Sequence, residues 1–145
     1  MNMKTSARNQ FAGKVTAVKR GAINDEVEME IVCGHKLAAI ITHESTEALG
    51  LCVGAEVLAL VKSSSIIVVA GDDRSTKFSA RNQLSGIVSR VQLGVVNTDV
   101  VMELTGGGTM AAIILQASVG ALGLVAGEKA MGIFKASSVI LATSA

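Results

Sequence analysis

The sequence predicts a mainly β protein that consists of two small five-stranded barrels in tandem, each with one short helix. The segment SARNQ occurs at Ser6–Gln10 and again at Ser79–Gln83, and this offset of 73 residues (79 minus 6) aligns residues 6–70 with residues 79–143 without a gap. Half of the residues are hydrophobic, but only three are Phe and none is Trp or Tyr. A core of small aliphatic side chains favours strands.

Each repeat is predicted to contain three strands, a short helix and two further strands. Alternation in the second strand of the first repeat places Val27, Met29 and Ile31 on one face and glutamates on the other. The helix is predicted to begin after a cap at Thr42 or His43 and to end at Gly50. The predicted strands of this repeat are Phe11–Lys19, Val27–Val32, Lys36–Ile41, Glu56–Val61 and Ser65–Ala70. The order β-β-β-α-β-β is typical of a small OB-like barrel.

The two repeats are predicted to form two modules, residues 6–70 and residues 79–143, joined by a linker at residues 71–78. The linker, GDDRSTKF, is polar except for its last residue. A module of about 70 residues is close to the lower size limit for an independent hydrophobic core. We therefore expect the modules to pack against each other and the chain to form a homo-oligomer.

Composition and charge argue against several classes of partner. The formal net charge is +1, whereas proteins that bind nucleic acid usually carry a clustered basic excess. Aromatic platforms for base stacking are also scarce. The first ten residues contain no apolar run typical of a signal peptide, and no apolar stretch reaches the length of a membrane span. We expect a soluble, cytoplasmic protein without a nucleic-acid or membrane partner.

The sequence contains no recognisable catalytic motif. Both histidines, His35 and His43, lie in the first repeat and have no counterpart in the second, so a reaction that used them would run in half of the molecule. Both cysteines, Cys33 and Cys52, are confined to the first repeat as well, and their spacing with the histidines matches no closed zinc motif. We expect no enzyme activity, no disulfide, no zinc site and no organic cofactor.

Two polar segments are retained in both repeats, and each combines a cation with hydroxyl and backbone N–H donors. One is SARNQ, and the other follows the fourth strand, at Lys62–Ser65 and at Lys135–Ser138. Such donors suit a fully deprotonated tetrahedral oxyanion, and Ser45 and Ser118 near the helix N-termini could add to them. Alternatively, Ser and Lys at strand ends form only turns and solvated surface. Retention of the segments in both repeats favours the oxyanion site.

Several motifs in the two repeats together resemble the Mop, or molbindin, module. They are SARNQ, a G-x-V-x-x-V strand, a G-x-x-N turn, an A-x-I-T-x-x-S stretch before LGL, and a K-[AS]-S segment before the last strand. The resemblance covers nearly the whole chain, and a chain of two such modules is similar to the tandem, or di-Mop, molbindins. It implies binding and storage of molybdate, and of tungstate, in the cytoplasm.

The resemblance also implies which residues hold the oxyanion between modules. In the first repeat these are Ser6, Arg8, Thr42, Ser45, Lys62 and Ser63, and in the second they are Ser79, Arg81, Ser118, Lys135 and Ala136. The second repeat departs from the pattern at Leu115, which replaces the Thr. Either a backbone group substitutes there, or the sites completed by that loop are weaker.

Molbindins of this kind resemble one another in assembling six modules, with pockets between modules and further pockets on a three-fold axis. For a chain of two modules this implies a homotrimer. Asn24 and Asn97, in the turn before the second strand of each repeat, are candidates for the axial oxyanion sites. An Asn is equally expected in such a turn for its backbone conformation alone.

Two other functions stay open on the sequence. The chain could be a regulatory or interaction module that senses molybdate and docks on a partner protein, because the Mop module also occurs in molybdate-responsive regulators and transporter ATPases. An OB-like nucleic-acid binder is disfavoured by the charge and the missing aromatics.

Overall fold

The computed structural model describes residues 4–31, 34–71 and 76–144. In these residues the chain forms ten strands and two short helices. They are β1 (Asn9–Lys19), β2 (Asn24–Glu30), β3 (Lys36–Thr42), α1 (His43–Leu49), β4 (Glu56–Val61), β5 (Ile67–Ala70), β6 (Asn82–Leu93), β7 (Asn97–Leu104), β8 (Thr109–Leu115), α2 (Gln116–Leu122), β9 (Lys129–Phe134) and β10 (Ile140–Ala142). Short 3-10 turns follow β4 at Ser63–Ser65 and β9 at Ala136–Ser138.

The strands form two antiparallel five-stranded sheets that exchange their last strands. The first sheet has the order β10-β4-β1-β2-β3, and the second has the order β5-β9-β6-β7-β8. Thus β5, from the first repeat, pairs with β9, and β10, from the second repeat, pairs with β4. We call β1–β4 with β10 the first barrel, and β6–β9 with β5 the second barrel. Each barrel therefore contains one strand from the other repeat.

The predicted fold class, mainly β with two tandem OB-like barrels and one short helix in each, is confirmed. The predicted bounds of β4 match the structure, and Val27, Met29 and Ile31 are all buried, as the alternation requires. Thr42 caps α1 by accepting a hydrogen bond from the Ser45 N–H. The predicted end of the second strand at Val32, Cys33 and the middle of the linker lie outside the described residues.

The first strand begins two residues earlier than predicted and serves two neighbours. Its first half pairs with β4 and its second half with β2, and the register shifts between Val15 and Ala17. A side chain at Gly13 would collide with the Glu30 carbonyl on β2. Gly13 thus allows the backbones of β1 and β2 to approach closely where the sheet bends.

The apolar side chains of both barrels form a single buried cluster. Val15, Val27 and Met29 of the first barrel and their counterparts Val88, Val100 and Met102 of the second are all at most 1% exposed. Burial of about 25 cal/mol per Å² of apolar surface makes this shared core the main stabilising contribution. The two barrels therefore stabilise each other.

Two buried asparagines join the barrels across their boundary. Asn9 donates through Nδ2 to the Ala111 carbonyl at 2.8 Å and accepts from the Ala111 N–H at 2.8 Å. Asn82 makes the matching pair with Ala38, at 2.9 and 2.7 Å. Each amide therefore pairs like a strand residue with the edge strand of the opposite barrel, β8 or β3. Both asparagines are at most 1% exposed, so water does not replace these bonds.

Asn9→Ala should destabilise the protein by about 3 kcal/mol, because it leaves buried backbone groups on β8 without partners. Urea unfolding at fixed protein concentration measures this change. Gln10→Ala is the control, since the Gln10 side chain is exposed and donates to the nearby Ala7 carbonyl of its own segment. We expect it to alter stability by less than about 0.5 kcal/mol. Equal effects of the two substitutions would contradict the role of the asparagine pair.

Candidate functional site

A cavity of about 480 Å³ lies at the boundary between the barrels and gathers four of the predicted site residues. Ser6 and Arg8 line it from the segment before β1, and Lys62 and Ser63 line it from the segment after β4. Ile113 of β8 and Ile140 of β10 form apolar parts of its wall, and both belong to the second repeat. The cavity is thus built by both repeats.

Local structure fixes the two polar segments at this place. Asn9, directly after Arg8, is tied to β8 through its amide. Lys62 lies where the chain leaves β4 and crosses to the second barrel, and the Ser65 N–H donates to its carbonyl at 2.9 Å. The turn Ser63–Ser65 packs against β8. Both segments are therefore held at the boundary by contacts with the opposite barrel.

The cavity combines positive charge with donors. Arg8 and Lys62 contribute two cations, and Ser6 and Ser63 contribute hydroxyls. The Arg8 guanidinium makes an ion pair with Asp99 of β7 at 2.9 Å, and its side chain is still 41% exposed. An anion that enters the cavity can therefore reach the guanidinium. Such a set of donors beside an apolar wall suits a small oxyanion.

The corresponding residues of the second repeat lie on the other side of the pseudo-symmetric boundary. The turn Ala136–Ser138 packs against β3, as Ser63–Ser65 packs against β8. Arg81 makes ion pairs with Glu26 and, at 3.5 Å, with Glu28, both on β2. Ser79 and Lys135 are exposed, whereas Ala136 is buried and supplies no hydroxyl.

The remaining predicted residues lie apart from this cavity. Thr42 donates to the Ser45 hydroxyl at 2.8 Å and accepts from its N–H at 3.1 Å, so the two cap α1 together. Leu115, the counterpart of Thr42, makes no side-chain cap, and Ser118 is half-buried within α2. Thr42 stands on β3, so within one chain it borders the second-repeat residues. The structure does not bring Thr42 and Ser45 to Ser6 and Arg8.

Asn24 and Asn97 occupy equivalent exposed positions, as the first residues of β2 and β7. Side chains at Gly21 and Gly94 would collide with their carbonyl oxygens, so these glycines allow a tight turn before each strand. The position at a solvent-facing turn is compatible with both interpretations of these asparagines.

The acidic partners of the two arginines and the role of the buried asparagines were not predicted from the sequence. Asp99 and Glu26 are aligned acidic residues in the repeats, and Asn9 and Asn82 are identical. The agreement between the repeats at these positions was the signal in the sequence that could have indicated their importance. The ion pair of Arg8 with Asp99 joins residues 91 positions apart, which no local pattern indicates.

A second polar cluster surrounds Asp25, which is buried at 1% exposure. Its carboxylate accepts from the Gly21 N–H at 2.9 Å and lies 3.0 Å from Nδ1 of His43. Burial by itself raises the pKa of Asp25, but the contacts with Gly21, Thr46 and His43 outweigh it and hold the pKa below the usual value. In the second repeat Thr98 replaces Asp25, so this cluster exists once.

Neither a metal cluster nor a membrane helix is found in the part of the chain that the structure describes. No group of three His, Cys, Asp or Glu side chains there could hold a metal ion. None of the helices is long and apolar enough to cross a membrane. Cys33, one of the residues considered for zinc, lies outside this part.

The two fused OB-like barrels with exchanged strands, and a basic, hydroxyl-lined cavity at their boundary, define a tandem β-barrel protein with a candidate site for a small anion. The TOBE domain model matches residues 5–68 and 79–141. The chain belongs to the TOBE domain family and carries the domain in two tandem copies, which confirms the resemblance to Mop modules.

The chain is also similar in sequence to several curated proteins. The chain is 46% identical over 142 residues to the molybdenum transport protein ModE of Azotobacter vinelandii, covering 98% of this chain and 52% of that protein. It is 44% identical to the molybdenum-pterin-binding protein MopA of Rhodobacter capsulatus, covering 98% of this chain and 53% of that protein. The chain thus spans about half the length of these curated relatives.

A solved structure matches over nearly the whole of this chain and the full length of its own. The crystal structure of the cytoplasmic molybdate-binding protein ModG with molybdate bound gives a TM-score of 0.94 at 42% sequence identity. The match covers 98% of this chain and 100% of that chain. The whole described architecture, including both barrels, is therefore similar to a protein that binds molybdate.

Asp25→Asn should lower stability at neutral pH and make it less sensitive to acid. Because the folded pKa of Asp25 lies below the ordinary value of 3.8 for this side chain, the ionised carboxylate stabilises the fold above that pH. This contribution is lost as the pH falls through the folded pKa, so the stability difference between the two proteins should shrink in acid. Urea midpoints from pH 7 to pH 2 measure it, with Glu44→Gln as an exposed control. A difference that is constant with pH would contradict the assignment.

Proposed function

We propose that this protein binds molybdate, and also tungstate, at the boundary between its barrels. The observation that carries the proposal is the cavity that collects Ser6, Arg8, Lys62 and Ser63 from two segments more than 50 residues apart in sequence. The similarity to ModG, a protein solved with molybdate bound, supports the choice of ligand. Binding is an equilibrium process, and we propose no chemical turnover.

The donor set suits the chemistry of molybdate. Near neutral pH molybdate is a tetrahedral dianion whose four oxygens only accept hydrogen bonds. The cations of Arg8 and Lys62 would offset its two charges by charge-assisted hydrogen bonds, and the Ser6 and Ser63 hydroxyls would direct further donors to it. Protonated phosphate is disfavoured because its O–H would meet donors. Sulfate has the same charge and shape, so its discrimination must come from its smaller size.

We further propose that the chain stores molybdate in the cytoplasm as a homotrimer of six modules. Thr42 and Ser45, which lie apart from the cavity within one chain, would then approach the cavity of a neighbouring chain. Ser118, the counterpart of Ser45, would do the same from the second repeat. The corresponding second-repeat sites would be formed by Ser79, Arg81, Lys135 and Ala136. Asn24 and Asn97, both exposed, would be available to axial sites. An ion that bridges chains would stabilise the trimer by mass action.

Molybdate should raise the melting temperature at constant protein concentration, while sulfate should raise it far less. At a hundredfold excess over the Kd the stabilisation is about 2.7 kcal/mol per site. Differential scanning fluorimetry with each anion at equal ionic strength measures the shift. Arg8→Gln should reduce the shift with molybdate, whereas Lys129→Gln, an exposed control at the start of β9, should retain it. Equal shifts from molybdate and sulfate would contradict the assignment of molybdate as the ligand. Native mass spectrometry of the same samples measures whether the assembly contains three chains.

A second candidate function is sensing, in which the molybdate-loaded protein docks on a partner protein. One observation favours it: the tip of the second barrel exposes Leu93, Val95, Val96 and Leu115, with Val95 94% exposed. Contiguous exposed apolar side chains are typical of protein contacts. Cell fractionation at low and high molybdate distinguishes the two functions. Storage predicts a free oligomer that carries several ions, and sensing predicts a complex that depends on molybdate.

A further inference from the structure

We call the cavity with Ser6, Arg8, Lys62 and Ser63 the first site, and the corresponding group of Ser79, Arg81, Lys135 and Ala136 the second site. The two sites differ in the charges around their arginines. In the first site Asp99 receives two arginines, Arg8 at 2.9 Å and Arg90 at 3.4 Å. In the second site the ratio of arginines to carboxylates is reversed, since Arg81 contacts both Glu26 and Glu28. The first cluster therefore has one net positive charge and the second has one net negative charge.

The difference comes from two positions at which the repeats diverge. Arg8 and Arg81 are aligned, as are Asp99 and Glu26, so the central ion pair is common to both sites. Arg90 aligns with Ala17, and Glu28 aligns with Val101. Each site therefore carries one additional charge that the other lacks, and the two additional charges have opposite sign.

We propose that Arg90 and Glu28 make the two sites unequal, so that the first binds a dianionic oxyanion more tightly and fills first. This inference rests on the proposed function. In the first site Asp99 is shared by two guanidiniums, so Arg8 can turn to an incoming anion while Arg90 still neutralises the carboxylate. In the second site the anion must compete with Glu26 and Glu28 for the single guanidinium of Arg81.

The difference should be moderate and should depend on salt. The side chains of Arg8, Arg81, Arg90 and Glu28 are all between 41% and 59% exposed, so solvent screens their charges. We expect affinities that differ by about threefold to tenfold at low ionic strength and converge at about 0.5 M salt. A difference caused by cavity shape alone would persist at high salt.

Isothermal titration calorimetry of the intact protein with sodium molybdate tests the order of filling. In about 20 mM salt we expect the boundary sites to form two classes, separate from the axial sites, which neither arginine substitution should remove. Arg8→Gln should remove the tighter class and Arg81→Gln the weaker one. Loss of the tighter class in Arg81→Gln, or a single class in the unsubstituted protein, would overturn the proposal while leaving molybdate binding intact. Absence of any molybdate binding would overturn the proposed function itself.

Two further variants test the additional charges directly. Glu28→Gln should tighten the weaker class by about threefold, and Arg90→Gln should weaken the tighter class by a similar factor. Glu56→Gln and Lys129→Gln make the same changes of net charge at aligned, exposed positions at the starts of β4 and β9, strands that carry no member of either arginine cluster, so they should leave both affinities unchanged. If the controls shift the affinities as much as the test variants do, overall charge and not these two side chains sets the difference.

Discussion

The exchange of the last strands determines where the candidate site forms. After β4 the chain leaves its own sheet, in which β10 of the second repeat occupies the edge beside β4. It crosses through Lys62 and Ser63 to join β9 as β5. The two residues must therefore lie at the boundary between the barrels. The position of the site is a consequence of this crossing.

The buried asparagines place the other half of the site at the same boundary. Asn9 follows Arg8 directly and forms two hydrogen bonds with Ala111 on the opposite barrel, so Ser6 and Arg8 are held next to β8. The amide does so at a position where water is excluded, which makes the contact specific as well as stabilising. Rigid attachment of both segments keeps the donors of the cavity in place before a ligand arrives.

Local sequence patterns predicted most of the elements of the fold. The alternation at Val27, Met29 and Ile31 indicated a half-buried strand, and Thr42 and Gly50 marked the ends of α1 because capping depends on residue type. The start of β1 was missed because Asn9 is polar, although its hydrogen bonds allow it to be buried. The internal repeat and the resemblance that it carried identified the family.

The strand exchange and the ion pairs could not be predicted in this way. The apolar pattern of β5 (Ile67–Ala70) and that of β10 (Ile140–Ala142) are nearly the same, so each fits the edge of either sheet. Arg8 meets Asp99, and Arg81 meets Glu26, only because the barrels are packed together. The four residues Ser6, Arg8, Lys62 and Ser63 were predicted from the repeat and the resemblance, but their acidic neighbours required the three-dimensional structure.

A crystal structure of the protein grown with molybdate, with anomalous diffraction data collected at the molybdenum absorption edge, tests most directly whether the boundary cavity binds the oxyanion. We expect an anomalous peak in this cavity, with the oxygens bound to molybdenum within hydrogen-bonding distance of Arg8, Lys62 and Ser63. A peak located only away from both boundary sites, with Arg8 still paired to Asp99 and Arg81 to Glu26, would contradict it.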